Sequence, residues 1–245
     1  MIHLVFDAIK VARRTMIRAL MIAVTGFVAL SAHAQTSQPI KIGIIGTGRI
    51  GSTLATHWAK AGHEILISSR HPEELKDLAK SLGPKVKVGT PQEAAAFGEV
   101  ILLSVPYAAT PQIGTDFAKE LKGKIVIDTG NPYPQRDGAM AAEALKKGTG
   151  VTSAEFLPGV KLVRAFNQIS EKNLKEGSNR KPERYAIPIA VDDAAALAMA
   201  QRLIGDAGFD TVVVGPLVKA REFDNGSPGY GKLGSASELR KHFGL

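Results

Sequence analysis

From Ile40 onward, short apolar runs alternate with stretches in which apolar residues recur every three or four positions. Ile40 to Ile45 is a β-branched run suited to a buried parallel strand. The stretch from about Ile50 to Ala61 predicts a helix with Gly62 as its C-cap, and Glu64 to Ser68 predicts a second strand. Pro72 to Leu82 predicts a helix whose apolar face is Leu75, Leu78, Ala79 and Leu82. Val86 and Val88 mark a short third strand, and Thr90-Pro91-Gln92-Glu93 reads as the cap and first turn of a helix. Val100 to Val105 is wholly apolar and predicts a central strand that Pro106 stops. Strands are predicted again at Lys124 to Asp128, Lys161 to Phe166, Ile187 to Val191 and Val212 to Val214, with helices at Ala139 to Lys147 and Asp193 to Ala207. This alternation implies an α/β fold, a doubly wound and mostly parallel sheet in a single domain. The domain is expected over residues 35–218, with a short C-terminal extension over 219–245.

The first 34 residues follow another pattern. Arg13, Arg14 and Arg18 precede an apolar stretch from Ala19 to Leu30, too short to span a bilayer comfortably. Ala32-His33-Ala34 then supplies a small-x-small cleavage site, so residues 1–34 read as a signal peptide and the mature chain begins at Gln35. Arg13-Arg14-Thr15-Met16-Ile17-Arg18 also looks like a twin-arginine signal, which exports folded cargo. An ordinary signal with adjacent arginines, or a start at Met16, is the alternative. A periplasmic or secreted location follows, and no later apolar run is long enough to cross a membrane.

Composition narrows the chemistry. The formal net charge is +8, but Lys10, Arg13, Arg14 and Arg18 belong to the leader. The rest is scattered, without the basic runs interleaved with aromatics that suggest nucleic acid. There are no cysteines, which excludes disulfides, iron–sulfur ligation and thiol catalysis.

Gly46-Thr47-Gly48-Arg49-Ile50-Gly51 fits G-x-G-x-x-G, with a strand before it and a helix and a second strand after it. Gly46 permits the tight turn, Gly48 lets a pyrophosphate approach the backbone, and Gly51 lets the helix pack closely on the strand. The helix N-terminus would point free N–H groups at the phosphates. At the end of the second strand, an NAD site wants a carboxylate, yet the residues are Ser68, Ser69, Arg70 and His71. Arg70 offers a planar fork suited to a 2′-phosphate, and Ser69 adds a hydroxyl, so NADP(H) is favoured over NAD. His71 could stack on the adenine. In such sheets ligands sit beyond the carboxyl ends of the strands. Val105, Pro106, Asn131 and Asn167 fall there. Pro106 could pack on the nicotinamide or ribose, and the asparagines could bind the carboxamide or a second substrate, or could simply cap turns.

Reduction of a carbonyl needs a placed proton donor. None of Tyr107, Tyr133, Tyr185 and Tyr230 has a lysine four residues later. Lys175 and Asn179 have a lysine–asparagine spacing, but Gly177 and Ser178 lie between them and the match reads as chance. The histidines form no metal-ligand pattern, and His57 and His63 are expected on the helix surface. A hydride acceptor that needs no positioned acid fits best, such as a flavin or deazaflavin ring.

These residues together resemble the NADPH-dependent coenzyme F420 reductase family. The matching pieces are Ile44-Ile45-Gly46-Thr47-Gly48-Arg49-Ile50-Gly51, Ala61-Gly62-His63-Glu64, Ser68-Ser69-Arg70, Asp128-Thr129-Gly130-Asn131-Pro132, Lys161-Leu162-Val163-Arg164-Ala165-Phe166-Asn167, Gly208-Phe209-Asp210 and Gly215-Pro216-Leu217. The resemblance implies a Rossmann fold and hydride transfer between NADP(H), held at Gly46 to Gly51, Ser69 and Arg70, and a second ring near Pro106 and Asn167. FMN, FAD or F420 would be that second substrate. Where the family often carries a lysine four residues after the arginine, this chain has Glu74. Two other readings stay open: a non-catalytic module that binds or senses NADP(H), and a reductase of a small carbonyl or imine. The partner expected is a small-molecule hydride acceptor, and a homodimer is one assembly open to the chain.

Overall fold

A computed structural model describes residues 38–245. The signal peptide and twin-arginine readings of residues 1–34 lie outside the described residues.

Eight strands form one sheet: β1 (Lys41–Ile45), β2 (Glu64–Ser68), β3 (Val86–Gly89), β4 (Val100–Leu103), β5 (Ile125–Asp128), β6 (Lys161–Arg164), β7 (Ala186–Val191) and β8 (Asp210–Gly215). Their order is β3-β2-β1-β4-β5-β6-β7-β8. The first six run parallel, and β7 meets β6 antiparallel, so β7 and β8 run the other way. This is the doubly wound, mostly parallel sheet of the Rossmann class. The strand order reverses between β1 and β4, which places the ligand crevice beyond their carboxyl ends.

Side-chain alternation in β1 builds the two layers. Ile42 and Ile44 face a core shared with helices α1 (Arg49–Lys60) and α10 (Ala194–Asp206), and Ile45 faces the opposite core. Gly43 lies under α3 (Pro91–Phe97), where a Cβ would come 2.0 Å from the Ala94 carbonyl oxygen. Thr90 caps α3 in the expected capping box with Glu93. Trp58 crosses from α1 to α10, donating its indole N–H to the Leu203 carbonyl at 2.8 Å.

Several helices are shorter than periodicity resolves. The helix expected over Pro72 to Leu82 divides into a 3₁₀ turn, Pro72–Leu75, and α2, Lys76–Leu82. Helices α4 (Thr110–Asp116), α5 (Ala118–Leu121), α6 (Pro134–Asp137), α8 (Thr149–Phe156), α9 (Glu171–Glu176) and α11 (Ala236–Phe243) lie where no helix was predicted, and α7 (Ala139–Lys147) has its expected bounds. Among the described residues, no helix is long and apolar enough to cross a membrane.

The histidines require a correction. His63 is buried, not on the surface, because the turn after α1 folds it under the start of β1. Its Nδ1 accepts the Ile40 N–H at 3.1 Å, so its proton sits on Nε2, 3.0 Å from Asp206 Oδ2. His57 is half-buried, with Nε2 2.9 Å from the Leu174 carbonyl oxygen. Burial holds both imidazoles below their ordinary pKa, although the Asp206 hydrogen bond at His63 and the Leu174 carbonyl at His57 oppose it. Each ring is therefore easier to protonate in the unfolded chain. Stability should be full above about pH 6.5 and fall as pH drops below it, where the unfolded state binds more protons. Urea unfolding across this range tests the point: His63→Gln is expected to flatten the slope, and an unchanged slope would acquit His63.

The C-terminal segment is built into the body. Because β8 runs opposite to β1–β6, Gly215-Pro216-Leu217 turns at the edge away from the crevice. Leu217 N donates to Asp192 Oδ1 at 2.9 Å, and a Cβ on Gly150 would come 2.3 Å from the Leu217 carbonyl oxygen. A 3₁₀ turn, Leu217–Glu222, then packs on α8. It delivers Phe223 and Asp224, both buried, to the ends of β5 and β6.

Candidate functional site

The turn after β1 divides its glycines into two kinds. Gly46 has φ +96°, and a Cβ there would sit 2.3 Å from the Ser104 carbonyl oxygen. A Cβ on Gly51 would sit 2.2 Å from the Gly46 carbonyl oxygen. These two glycines are demanded by the protein's own packing. Gly48 is different: its φ of −76° suits any residue, it is exposed, and a Cβ would meet nothing within 4 Å. Gly48 is also the N-cap of α1, which has no side-chain cap and no acidic residue in its first turn. The N–H groups of Arg49, Ile50 and Gly51 therefore have no intrahelical or side-chain cap partner, with the positive end of the helix dipole behind them.

The turn is anchored to β2. The Ser68 carbonyl oxygen accepts the N–H groups of Gly46 (3.2 Å) and Thr47 (3.1 Å) and the Thr47 hydroxyl (2.9 Å). Just beyond, Ser69 Oγ accepts the His71 N–H at 3.0 Å. Arg70 is exposed, and among the described residues its guanidinium has no partner. His71 is also exposed, with Nδ1 3.4 Å from Glu73. At the end of β4, a Cβ on Gly46 would meet the Val105 side chain at 2.7 Å, which places Val105 against the turn. Pro106 follows it, exposed, as the N-cap of a 3₁₀ turn over Tyr107–Ala109. Thus Gly46 to Gly51, Ser69, Arg70, Val105 and Pro106 all follow the carboxyl ends of β1, β2 and β4, the strands at and beside the switch point.

Asn131 and Asn167 sit at the ends of β5 and β6, and their amide nitrogens are used within the protein. Asn131 Nδ2 donates to the Asn167 carbonyl at 2.6 Å. Asn167, 3% exposed, donates from Nδ2 to the Phe223 carbonyl and to Asp224 Oδ1, each at 3.3 Å. The Oδ1 atoms of both, and the whole amide of Gln168, are buried without a hydrogen-bond partner. Such atoms are uncommon in folded proteins. Phe166, between β6 and Asn167, has φ +61°, a conformation that costs a non-glycine residue free energy.

Beneath these asparagines lies a charge cluster that the sequence reading missed. Arg164 is fully buried at the end of β6. Its Nη1 donates to Asp128 Oδ2 (2.9 Å), the Asp128 carbonyl (3.2 Å) and the Gly130 carbonyl (2.8 Å), and Nη2 donates to Asp224 Oδ1 (2.8 Å). Burial alone would favour loss of its proton, but the carboxylates of Asp128 and Asp224 outweigh burial and hold the guanidinium firmly charged. Asp224 also accepts the Thr149 N–H at 3.2 Å. The only sequence signal was a charged residue inside an otherwise apolar strand. Tyr107 is buried nearby, its hydroxyl 3.2 Å from Ser153 Oγ, and burial raises its pKa far above the usual phenol range.

Comparison with known proteins places this arrangement. Residues 41–132 match the family described as NADP oxidoreductase, coenzyme F420-dependent. The F420-dependent NADP reductase of Methanothermobacter marburgensis is 31% identical over 203 residues, covering 77% of this chain and 90% of that protein. Metalloreductase STEAP3 of Rattus norvegicus is 29% identical over 186 residues, covering 75% of this chain but only 36% of its own length. A crystal structure of a hypothetical protein from Sinorhizobium meliloti superposes with a TM-score of 0.70 at 26% identity, covering 82% of this chain and 97% of that one. The fold and the glycine turn define a dinucleotide-binding oxidoreductase. The chain belongs to the F420-dependent NADP reductase family and is an NADP-dependent oxidoreductase.

Proposed function

We propose that the protein moves a hydride between NADP(H) and a flavin or deazaflavin ring, F420 among them. The observation that carries the reading is the open space at Gly48 in front of an uncapped helix N-terminus. There the free N–H groups of the turn bind the pyrophosphate, helped by the dipole of α1. Ser69 and Arg70 take the 2′-phosphate at the adenosine end. Val105 and Pro106 floor the nicotinamide end, with Asn131 placed for the carboxamide at the end of β5. Asn167, at the end of β6, joins the same group and backs Asn131 through its carbonyl. When bound, NADPH supplies the hydride, and the residues of the crevice contribute orientation and proximity. The acceptor class is supported by the family description and by the relative's name.

Anaerobic oxidation of NADPH in the presence of FMN, FAD or F420 tests this reading, and turnover with at least one of them is expected. Tight NADPH binding with no turnover would favour a non-catalytic module, and turnover of a carbonyl or imine panel alone would favour the small-substrate reductase. The 2′-phosphate assignment has its own check. Loss of the charge-assisted pair in Arg70→Ala should weaken NADPH by about 10- to 100-fold and leave NADH nearly unchanged. Equal losses for both nucleotides, measured by fluorescence titration, would remove Arg70 from the phosphate site. We also infer that residues 1–34 direct export, and recovery of the uncleaved chain from the cytoplasmic fraction would overturn that inference.

A further inference from the structure

At the same edge of the sheet, the hydroxyls of Tyr133 and Tyr230 lie 2.6 Å apart. Tyr133 stands two residues beyond Asn131, on the chain leaving β5. Tyr230 belongs to the C-terminal segment and is followed by Gly231, whose N–H donates to the Gln168 carbonyl at 3.0 Å, just past β6. Asn225 Nδ2 ties the same two segments by donating to the Pro132 carbonyl at 3.2 Å. Both tyrosines are half-buried, so the pair is held by the protein and keeps part of its surface open to solvent.

We propose that the Tyr133–Tyr230 hydroxyl pair delivers the proton that accompanies hydride arrival on the acceptor ring. The proposal rests on the acceptor reading above. Two hydroxyls facing each other use only one hydrogen between them, which leaves the other phenol's hydrogen free to donate outward. Burial, and then the bond to Tyr133, push the Tyr230 pKa well above its usual range, so Tyr230 stays protonated beside its partner. The outward hydrogen is assigned to Tyr133, which follows β5 two residues beyond Asn131 and has the Arg136 guanidinium over its ring. The charged groups facing Tyr133 are Arg136, whose guanidinium carbon lies 5.0 Å from the ring centroid, and Asp137, whose carboxylate accepts the Tyr133 N–H at 2.9 Å and pairs with Arg136. A phenolate formed at Tyr133 is stabilised by the Tyr230 hydroxyl and by that guanidinium.

The chemistry balances as follows. NADPH is oxidised to NADP⁺ as it gives up a hydride. The acceptor ring gains that hydride and one proton and is reduced by two electrons. The Tyr133 O–H bond breaks as the proton passes to a ring heteroatom, and the phenolate recovers a proton from water. No tyrosine–lysine spacing announces this donor, because its supporting group is a second tyrosine 97 residues away.

Tyr133→Phe is expected to lower the rate of acceptor reduction about 100-fold, the usual scale for a lost general acid, while NADPH affinity stays at the wild-type value. Wild-type turnover should slow in D₂O, and Tyr133→Phe should lose that sensitivity. Tyr230→Phe should fall between the two. In the nucleotide-free protein, ultraviolet titration of Tyr133→Phe should show Tyr230 ionising at lower pH than in the wild type, since its partner is gone. Wild-type turnover of a flavin or F420 that Tyr133→Phe leaves unchanged in rate and in isotope effect overturns the proton assignment alone. A wild-type protein that reduces none of these acceptors overturns both that assignment and the acceptor reading.

Discussion

Replacing Arg164 with alanine is expected to cost about 3–5 kcal/mol of folding stability, the range for breaking a buried ion pair by removing one partner. The guanidinium is wholly enclosed and touches two buried carboxylates and two main-chain carbonyls, so its loss leaves Asp128 and Asp224 facing each other across a cavity without a cation. One of those carboxyls must then take up a proton, with its pKa in the folded state raised above the unfolded value of about 3.9. A raised carboxyl pKa favours the fold at low pH and loses that advantage as pH rises. The deficit should therefore be largest near neutrality and shrink toward about pH 4, opposite in sign to the slope assigned to His63. Adding Asp128→Asn and Asp224→Asn to Arg164→Met should recover much of the loss, because no unpaired charge remains. Urea unfolding at two pH values checks both statements, and a small, pH-independent loss for Arg164→Ala would show that the cluster does not hold the strand ends.

Gly48→Val carries the second large effect, and it falls on binding rather than on folding. The backbone at Gly48 is unstrained for any residue and the space beside it is open, so stability should change by no more than about 1 kcal/mol. The isopropyl group would occupy the volume where phosphate oxygens approach the turn. Losing two charge-assisted N–H bonds at about 1.5–3 kcal/mol each lowers NADP(H) affinity by about 10²- to 10⁴-fold. Gly51→Val is the contrasting control. Its Cβ would meet the Gly46 carbonyl oxygen at 2.2 Å, so that variant should fail to fold. Thermal melts together with NADPH fluorescence titration separate the two outcomes. A folded Gly48→Val protein with wild-type affinity would refute the cradle.

The contrast between these two experiments mirrors what the sequence made legible. The cradle is a local object: strand, glycine turn, helix and second strand lie within residues 41–68 and are constrained by short-range sterics that leave a signature in spacing. The strands were legible for the same reason, since Val100–Leu103 and Ala186–Val191 are buried along their whole length and read as unbroken apolar runs. Arg164 could not be understood this way. Its position inside a strand was visible, but Asp224, which makes that position tolerable, lies 60 residues further on. His63 failed similarly, because an imidazole after a turn is ordinarily solvated, and only the tertiary fold brings the Ile40 N–H to its Nδ1. The short helices were missed because four to eight residues cannot establish a 3.6-residue period. Among the missed helices α11 did carry a local signal, since Ser235 and Glu238 form a capping box that the spacing S-x-x-E displays.

The reversal at β7 has a consequence for how the molecule comes into being. The dinucleotide cradle is encoded in the first stretch of the folded body, whereas Asp224 and Tyr230 follow β8 and must cross from the far edge of the sheet before they meet Asp128, Arg164 and Tyr133. A nascent chain can thus shape its nucleotide seat early, while the segment that completes the ends of β5 and β6 arrives only after β8 has been made. Trimming the chain back to β8 would strip Asp224 from the buried Arg164, so the ends of β5 and β6 would lose their bracing along with Tyr230.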